Sequence, residues 1–321
     1  MGRRPAARDA ELPGKARGSV KTSVCIATYR RPERLDALLD DLARQELLPD
    51  EIVIVDNDAA GSARAVIERH LTMGHPFPIV YDIQPERNIA ATRNRTVHLA
   101  HAEWLAFVDD DERAPPGWLR QLLDAASRYG ADGILAPVEP QVPPNAPLWI
   151  RKGRFYDWPH LPSGVPVPPS HLRFGNVLLR GACLRAEPGP FDPSFGLSTG
   201  EDGDLLMRLG DKGAKILWCD EAMVWEPIEA RRLSLRWLLQ RALSGGQHFA
   251  RLSVNGRFRR VNLLVRCGMF ARWLGQLLIA LVLAGACWPL GRHRAAMWLI
   301  KASANLGKLS VFCGWRYGEY A

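Results

Sequence analysis

The chain has 321 residues, 47% of them hydrophobic, and carries 42 Lys and Arg against 34 Asp and Glu, a formal charge of +8. That length and apolar content can bury a large core, as one large domain or two smaller ones, and exclude a disordered chain. The positive balance suits anionic lipid or phosphorylated substrates as well as nucleic acid, so charge alone selects no partner.

The opening stretch, "MGRRPAARDAELPGKARGSVK", is basic and small with no apolar segment. It does not form a secretory signal and is expected to be a disordered tail. The six cysteines, at 25, 183, 219, 267, 287 and 313, show no CxxC pair and no His/Cys zinc spacing. They read as reduced, mostly buried thiols in a cytosolic compartment.

From Ser23 to about Gly133 the chain alternates strands with helices. "SVCIAT" (23–28) is a β-branched apolar run, and the helix starting at Pro32 carries Leu35, Leu38, Leu39 and Leu42 at helical spacing. "EIVIVD" (51–56) and "PIVYD" (78–82) read as strands, as does "EWLAFV" (103–108), with "SARAVIERHL" and "IAATRNRTVHLAHA" as the helices between them. Strands apolar nearly throughout, separated by amphipathic helices, indicate a parallel sheet covered on both faces.

Ligands of such sheets bind beyond the carboxyl ends of the strands. Attention therefore falls on Thr28 to Arg31, Asp56 to Asp58 and Asp109 to Glu112. No GxGxxG follows the first strand, which argues against a dinucleotide-binding domain. Asp56 can hold a nucleoside through a base N–H or ribose hydroxyl, or can cap the next turn.

"FVDDDERAPPGW" (107–118) stacks three aspartates and a glutamate after an apolar run. Adjacent like charges repel and lose hydration when buried, so the cluster calls for a cation. Hard oxygen donors there suit Mg²⁺ or Mn²⁺, which take one or two carboxylates plus substrate phosphates. Asp109 and Asp111 form a DxD pair. The alternative is a solvated acidic loop capping the helix that begins near Pro116.

"SVCIATYRRPERL", "EIVIVDND", "ERNIAATRNRTVHLA", "WLAFVDDDERAPPGWL" and "FDPSFGLSTGEDGDLLMRLGDKGAKI" resemble, in order and spacing, the inverting family-2 glycosyltransferases of GT-A fold, over about Ser23 to Gly246. Within that family they are most similar to bacterial exopolysaccharide transferases of the succinoglycan type. The resemblance implies an α/β domain with a mostly parallel central sheet that binds a nucleotide sugar. It places Thr28, Tyr29 and Arg31 on the nucleotide, Asp56 on the uracil or ribose, and Arg93 and Asn94, in the "TRN" element, facing the nucleotide. Asp109 and Asp110 join the donor site, Asp109 and Asp111 hold Mn²⁺ or Mg²⁺, and Asp202 is the catalytic base with Glu201 as its partner. The chemistry fits these residue types. Charge building on the departing diphosphate needs a metal and an arginine, and the attacking hydroxyl needs a carboxylate to accept its proton.

The chain departs from the family in two places. Where many members carry a histidine after the late strand, this chain has "MVWEPI" with Glu226, and "LRWLLQRALSGG" (235–246) resembles the QxxRW element of processive synthases only loosely.

Ten prolines between Pro137 and Pro169, interleaved with Trp149, Phe155, Tyr156 and Trp158, predict an irregular segment over the sheet. Its aromatics stack on acceptor sugars or pin down a long connection. "WLGQLLIALVLAGACWPLG", between Arg272 and Arg292, is charge-free and near the lower limit for a membrane span, with Trp273 and Trp288 placed as interfacial anchors. "AAMWLIKASANLGKLSVFCGW" (295–315), interrupted by Lys301 and Lys308, reads as an interfacial helix. The alternative for both is a buried helical subdomain. The flanking "RRLSLR" and "RFRRVNLLVR" favour an anionic membrane surface.

The chain thus divides into a basic tail (1–21), a catalytic domain (22–232) and a helical membrane-associated region (233–321). The expected activity is metal-dependent, inverting transfer from a nucleotide sugar, a UDP-sugar, to a lipid-linked or polysaccharide acceptor. The expected place is the cytoplasmic face of the inner membrane, with no nucleic-acid partner. One rival is a sugar-1-phosphate nucleotidyltransferase, whose glycine-rich phosphate loop "TYRRPERL" lacks. The other is a catalytically silent membrane scaffold.

Overall fold

A computed structural model describes residues 21–195, 200–255 and 261–315. The expected disordered tail lies, apart from Lys21, outside the described residues.

Four strand–helix units open the chain. They are β1 (Thr22–Thr28) with α1 (Pro32–Ala43), β2 (Glu51–Asp56) with α2 (Arg64–Met73), β3 (Ile79–Ile83) with α3 (Ile89–Leu99), and β4 (Trp104–Phe107) with α4 (Trp118–Tyr129). Then come β5 (Gly133–Leu135), β6 (Val138–Gln141), α5 (Leu148–Gly153), β7 (Val177–Arg180) and α6 (Gly181–Arg185). After α7 (Glu201–Asp211), β8 (Ile216–Trp218) and β9 (Val224–Pro227), the chain ends in α8 (Leu235–Val254), α9 (Leu263–Cys287) and α10 (Arg292–Ser310).

The main sheet has seven strands in the order β3-β2-β1-β4-β7-β5-β8. β1 to β4 pair in parallel, and β5 pairs in parallel with β8. β7 runs antiparallel to both its neighbours, so the sheet is mostly rather than wholly parallel. A parallel neighbour needs a crossover that carries the chain back to the same end of the sheet. The proline-rich connection before β7 supplies none, because α5 packs with Ile228 and Leu238 near the C-terminal helices instead.

Alternation along β1 sends Val24 and Ile26 into one core layer, with Leu35, Leu38 and Leu119, and Cys25 into the other, with Val97, Leu105 and Leu205. Two dry layers fix the register, and the register aligns Thr28 beside Asp56 at the carboxyl edge.

The proline-rich segment is less irregular than its composition predicts. It contributes β6, which pairs with β9 in a separate two-stranded sheet, as well as α5. Trp149, Phe155 and Tyr156 pack with Ile228 and Leu238, and the Tyr156 hydroxyl donates to the Arg232 carbonyl at 2.6 Å. These three aromatics pin the connection. Trp158 stays exposed, with the Arg173 guanidinium 4.6 Å from its ring centre.

The last three helices form a layer. α8 and α10 approach through glycines: a Cβ on Gly246 would lie 2.0 Å from the Ala304 carbonyl oxygen, and one on Gly307 2.1 Å from that of Leu243. α10 is therefore a packed helix, with Ala295, Ala302 and Asn305 buried, and not the interfacial helix its lysines suggest. Those lysines stay at its margin, Lys301 over Trp298 and Lys308 over Phe249. Trp273 is buried against Met269, Ala250 and Phe312, a packing residue and no interfacial anchor, whereas Trp288 is exposed. α9 is long and apolar enough to cross a membrane, and only 17% of its most apolar window is buried, which argues against the buried-subdomain alternative. Cys25 and Cys219 are buried as expected, but Cys267 and Cys313 are exposed.

Candidate active site

Strand order reverses between β1 and β4, since β2 and β3 lie to one side of β1 and β4 to the other. A crevice opens at such a switch point, beyond the carboxyl ends of the strands. There the Thr28 hydroxyl donates to Asp110 at 2.8 Å and so links the two loops. Arg31, just before α1, bridges Asp110 at 3.0 Å and Asp111 at 2.9 Å.

Further arginines converge on the same loop. Arg232, after β9, contacts Asp111 at 3.0 Å and also pairs with Glu226, and Arg34 lies 3.8 Å from Asp111. Arg93 on α3 spans Asp109 at 3.3 Å and Glu201 at 2.7 Å, and it stacks over Phe174 with its guanidinium 4.9 Å from the ring centre. Asn88 caps α3 by accepting from Ala91 N–H at 3.2 Å, which sets the helix end that carries Arg93.

Negative charge is in surplus here. Burial raises the pKa of Asp109, against the pull of Arg93 and with a push from Asp111. Burial likewise lifts Asp110 to about 6, opposed by Arg31 and helped by Asp111. Glu112 is held well above the usual carboxylate range by burial and by the charges of Asp109 and Asp111. Glu226 is raised by burial and Asp111. Glu112 also accepts from Asp109 N–H at 3.0 Å. It lies so close to Gly175 that an added Cβ would sit 2.7 Å from its carboxylate, and φ of +122° at Gly175 favours glycine as well.

Among the described residues no three His, Cys, Asp or Glu side chains form a ready-made metal cage. The donor set nevertheless fits a hard divalent cation. Its oxygens repel one another, and Mg²⁺ or Mn²⁺ takes one or two carboxylates and completes its shell with phosphate and water. Asp109 and Asp111 are the pair expected from the sequence to do this. At Asp111 the ion would take the place of arginine.

Gly200, with φ of +116°, is the cap residue just before α7. Asp202 lies in its first turn and accepts from Phe174 N–H at 3.1 Å and Gly203 N–H at 2.7 Å. Glu201, 4% exposed, has its pKa pushed up to about 7 by burial and by Asp202, with Arg93 opposing. The His248 ring from α8 lies against Gly200, where an added Cβ would be 1.9 Å from it. Burial lowers the pKa of His248, opposed by Asp202, and its Nδ1 has no hydrogen-bond partner among the described residues.

The other expected site residues are placed differently. Asp56 is 0% exposed, and its oxygens accept from Ala63 N–H at 2.8 Å, Asp58 N–H at 3.0 Å, the Ser62 hydroxyl at 3.3 Å and the Tyr81 hydroxyl at 3.2 Å. The Asn94 amide donates to the Phe191 carbonyl at 2.7 Å and its oxygen accepts from Phe191 N–H at 2.8 Å, so it clamps the loop ahead of α7. Tyr29 is half-buried between the guanidinium groups of Arg30 and Arg87, 5.1 and 4.8 Å from its ring centre.

Sequence reasoning missed Arg34, Arg232 and His248, and it singled out Glu112 only as part of the acidic run, without a role. Arg232 belongs to "RRLSLR", the cluster expected to face a membrane, and instead turns to Asp111 and Glu226.

The family described as Glycosyl transferase family 2 matches residues 23–174. The succinoglycan biosynthesis protein ExoM of Rhizobium meliloti (strain 1021) is 37% identical over 233 residues, 71% of this chain and 73% of that protein. The galactofuranosyltransferase GlfT1 of Mycobacterium tuberculosis is 33% identical over 123 residues, 36% of this chain and 38% of that one. Among solved structures, the mannosyltransferase PcManGT from Pyrobaculum calidifontis, in complex with GDP-Man and Mn²⁺, superposes with a TM-score of 0.60 at 16% identity, covering 90% of this chain and 87% of that one. TarS 1-349 of S. aureus in complex with UDP gives 0.53 at 16%, covering 93% of each chain. These structures share the GT-A-like fold, and with ExoM aligned over most of both chains, this protein belongs to glycosyl transferase family 2.

Proposed function

We propose that the protein transfers a sugar from a nucleoside-diphosphate donor, a UDP-sugar, with inversion at the sugar, to a lipid-linked or polysaccharide acceptor in bacterial exopolysaccharide or cell-surface glycan synthesis. The observation that carries this reading is the switch-point cluster, in which arginines from three parts of the chain meet the Asp109–Glu112 loop. Guanidinium groups bind phosphate in the same geometry as carboxylate. Arg31 and Arg232 turn from Asp111 to an incoming diphosphate without further rearrangement of the sheet.

Asp109 and Asp111 would hold Mn²⁺ or Mg²⁺, which would supply positive charge against the leaving diphosphate. Thr28 and Asp110 fix the β1 loop against the β4 loop, and Tyr29 and Asp56 border the nucleoside. Asp202 accepts the proton of the attacking hydroxyl, while Glu201 and Asn94 hold Arg93 and the 191 loop in place. Inversion requires a single base on the face opposite the leaving group. The similarity to ExoM supports exopolysaccharide synthesis, and the likeness to PcManGT supports a divalent metal. The catalytic part comprises residues 22–232 and the helical part 233–321, the latter at the cytoplasmic face of the inner membrane.

Calorimetric titration of a nucleotide-sugar panel, with Mn²⁺ and with EDTA, tests the reading. One donor binding tightly only with metal is expected. Equal affinity in EDTA removes the metal role, and a turnover-silent protein that binds no donor sustains the scaffold alternative.

A further inference from the structure

Helix α9 has two unlike faces. Met269, Trp273, Ala280 and Ala284 are buried, while Leu264, Leu274, Leu278, Leu281 and Val282 are exposed on the other side. At 3.6 residues per turn that outward stripe is apolar along the whole helix, with the exposed Arg266 and Arg272 outside it. From Trp273 to Gly291 there is no charge at all.

Both ends of α9 are held close to the catalytic part, the start through α8, whose His248 lies against Gly200, and the far end through α10 and α5. Toward its start, Met269 and Trp273 pack on Ala250 of α8, with the Trp273 ring centre 6.5 Å from that of Phe249 and 5.8 Å from that of Phe312. At its far end a short turn, Trp288–Leu290, leads straight into α10. There the Arg292 guanidinium lies 5.9 Å from the Trp149 ring centre, and Ile300 packs with Ala146 and Ile150. Between these points α10 is locked to α8 at Gly246 and Gly307. To cross a hydrocarbon core of about 30 Å, one end of α9 would have to leave that body and reach the opposite leaflet. Neither end is free to do so.

We infer that α9 lies in the plane of an anionic membrane, its apolar stripe sunk into one leaflet and its arginines at the headgroups, with both ends on the side of the catalytic body. This geometry rests on the membrane association proposed above. In-plane helices combine an apolar face with basic flanks and bury only to the acyl boundary. A second copy of this chain is the less favoured occupant, because antiparallel pairing about the helix midpoint near Gly275 brings each Arg272 toward its counterpart.

The test uses the full chain with Arg266→Cys or Arg292→Cys, labelled with a membrane-impermeant maleimide and mapped by mass spectrometry. Both positions are expected to react in inverted inner-membrane vesicles and neither in intact spheroplasts. Reaction of one position from each side makes α9 a span, which overturns the in-plane geometry and leaves membrane association standing. In a second arm, Leu278→Glu with Val282→Glu is expected to lower sedimentation with phosphatidylcholine–phosphatidylglycerol vesicles by about ten-fold or more at unchanged Tm. A full-length protein that stays monomeric in detergent-free buffer and ignores the vesicles overturns the membrane association itself. A soluble dimer that the double variant splits into monomers assigns the stripe to a second copy and overturns the inference too.

Discussion

The acidic loops after β2 and β4 leave the same edge of the sheet on either side of β1, yet they hold their charge by different means. Asp56 is surrounded by donors of its own neighbourhood, two backbone N–H groups and two hydroxyls, fixed by the turn into α2 and by β3. Asp109 and Asp111 face guanidinium groups carried by long side chains from the start of α1, from α3 and from the segment after β9. A backbone donor cannot leave without unfolding its turn, whereas an arginine swings to a better anion at the cost of side-chain rotation. Residue type does not tell these aspartates apart. Their partners do: fixed local donors surround Asp56, whereas exchangeable guanidinium groups face Asp109 and Asp111, the pair proposed to take a ligand.

The sharpest break of that comparison is Asp111→Asn. Asparagine keeps the shape but loses the charge that the proposed metal site needs, so transfer at saturating donor and acceptor should fall by on the order of a hundredfold or more. Tm should change little, because the loss of the ion pairs with Arg31 and Arg232 is offset by relief of the push that Asp111 adds to burial in raising Glu112 and Glu226. A large loss of Tm at near-normal transfer would place Asp111 with Asp56. Asp202→Asn comes next. Phe174 N–H and Gly203 N–H bond to different oxygens of Asp202, so the amide keeps an acceptor for only one of them, and it cannot accept the hydroxyl proton, which makes Tm the necessary control. Single-turnover transfer should drop by on the order of a hundredfold, with donor affinity unchanged. Near-normal transfer would pass the base role to Glu201.

Asp56→Asn should reverse the pattern. Its amide brings hydrogens toward N–H groups that need an acceptor, leaving at least one buried donor unsatisfied at a cost of about 2 kcal/mol. Urea unfolding should show that loss, with a smaller change in UDP affinity. If affinity collapses while stability holds, Asp56 reads the base directly and its hydrogen bonds to the loop are secondary.

Much of this was legible in the chain because it is local. The strand "EIVIVD" matches β2 residue for residue, and the leucines at helical spacing are the buried face of α1. The acidic run pointed at the site because burying adjacent like charges is costly wherever it occurs. The partners of that run were not legible, since Arg232 meets Asp111 across 121 positions and nothing in "EARRLSLR" distinguishes it from its neighbour Arg231. Strand β7 escaped notice for a similar reason. Its direction is set by how a long proline-rich connection returns, not by its own four residues. Trp273 carried a misleading signal: an amphipathic ring beside a charge-free run suits a membrane interface, but it suits equally well a gap between α8, α9 and α10.

The finest test concerns Glu201, which shares Arg93 with Asp109 and so stands on the exchangeable side of the comparison. Its folded pKa is about 7, raised from 4.5 chiefly by burial. Below about 4.5 the group is protonated in both folded and unfolded chains and leaves stability unaffected. Between there and about 7 the unfolded chain has released the proton while the folded chain keeps it, so stability falls as pH rises through that window and levels off above it. Glu201→Gln cannot ionise. Its Tm should match the parent near pH 4 and exceed it by a widening margin up to about pH 7, ending a few degrees higher. Differential scanning calorimetry of both proteins across that range measures the gap directly. A gap that opens the other way would mean that the Arg93 ion pair outweighs the burial of the carboxylate, and Glu201 would then resemble Asp56, an acid held by a partner it does not release.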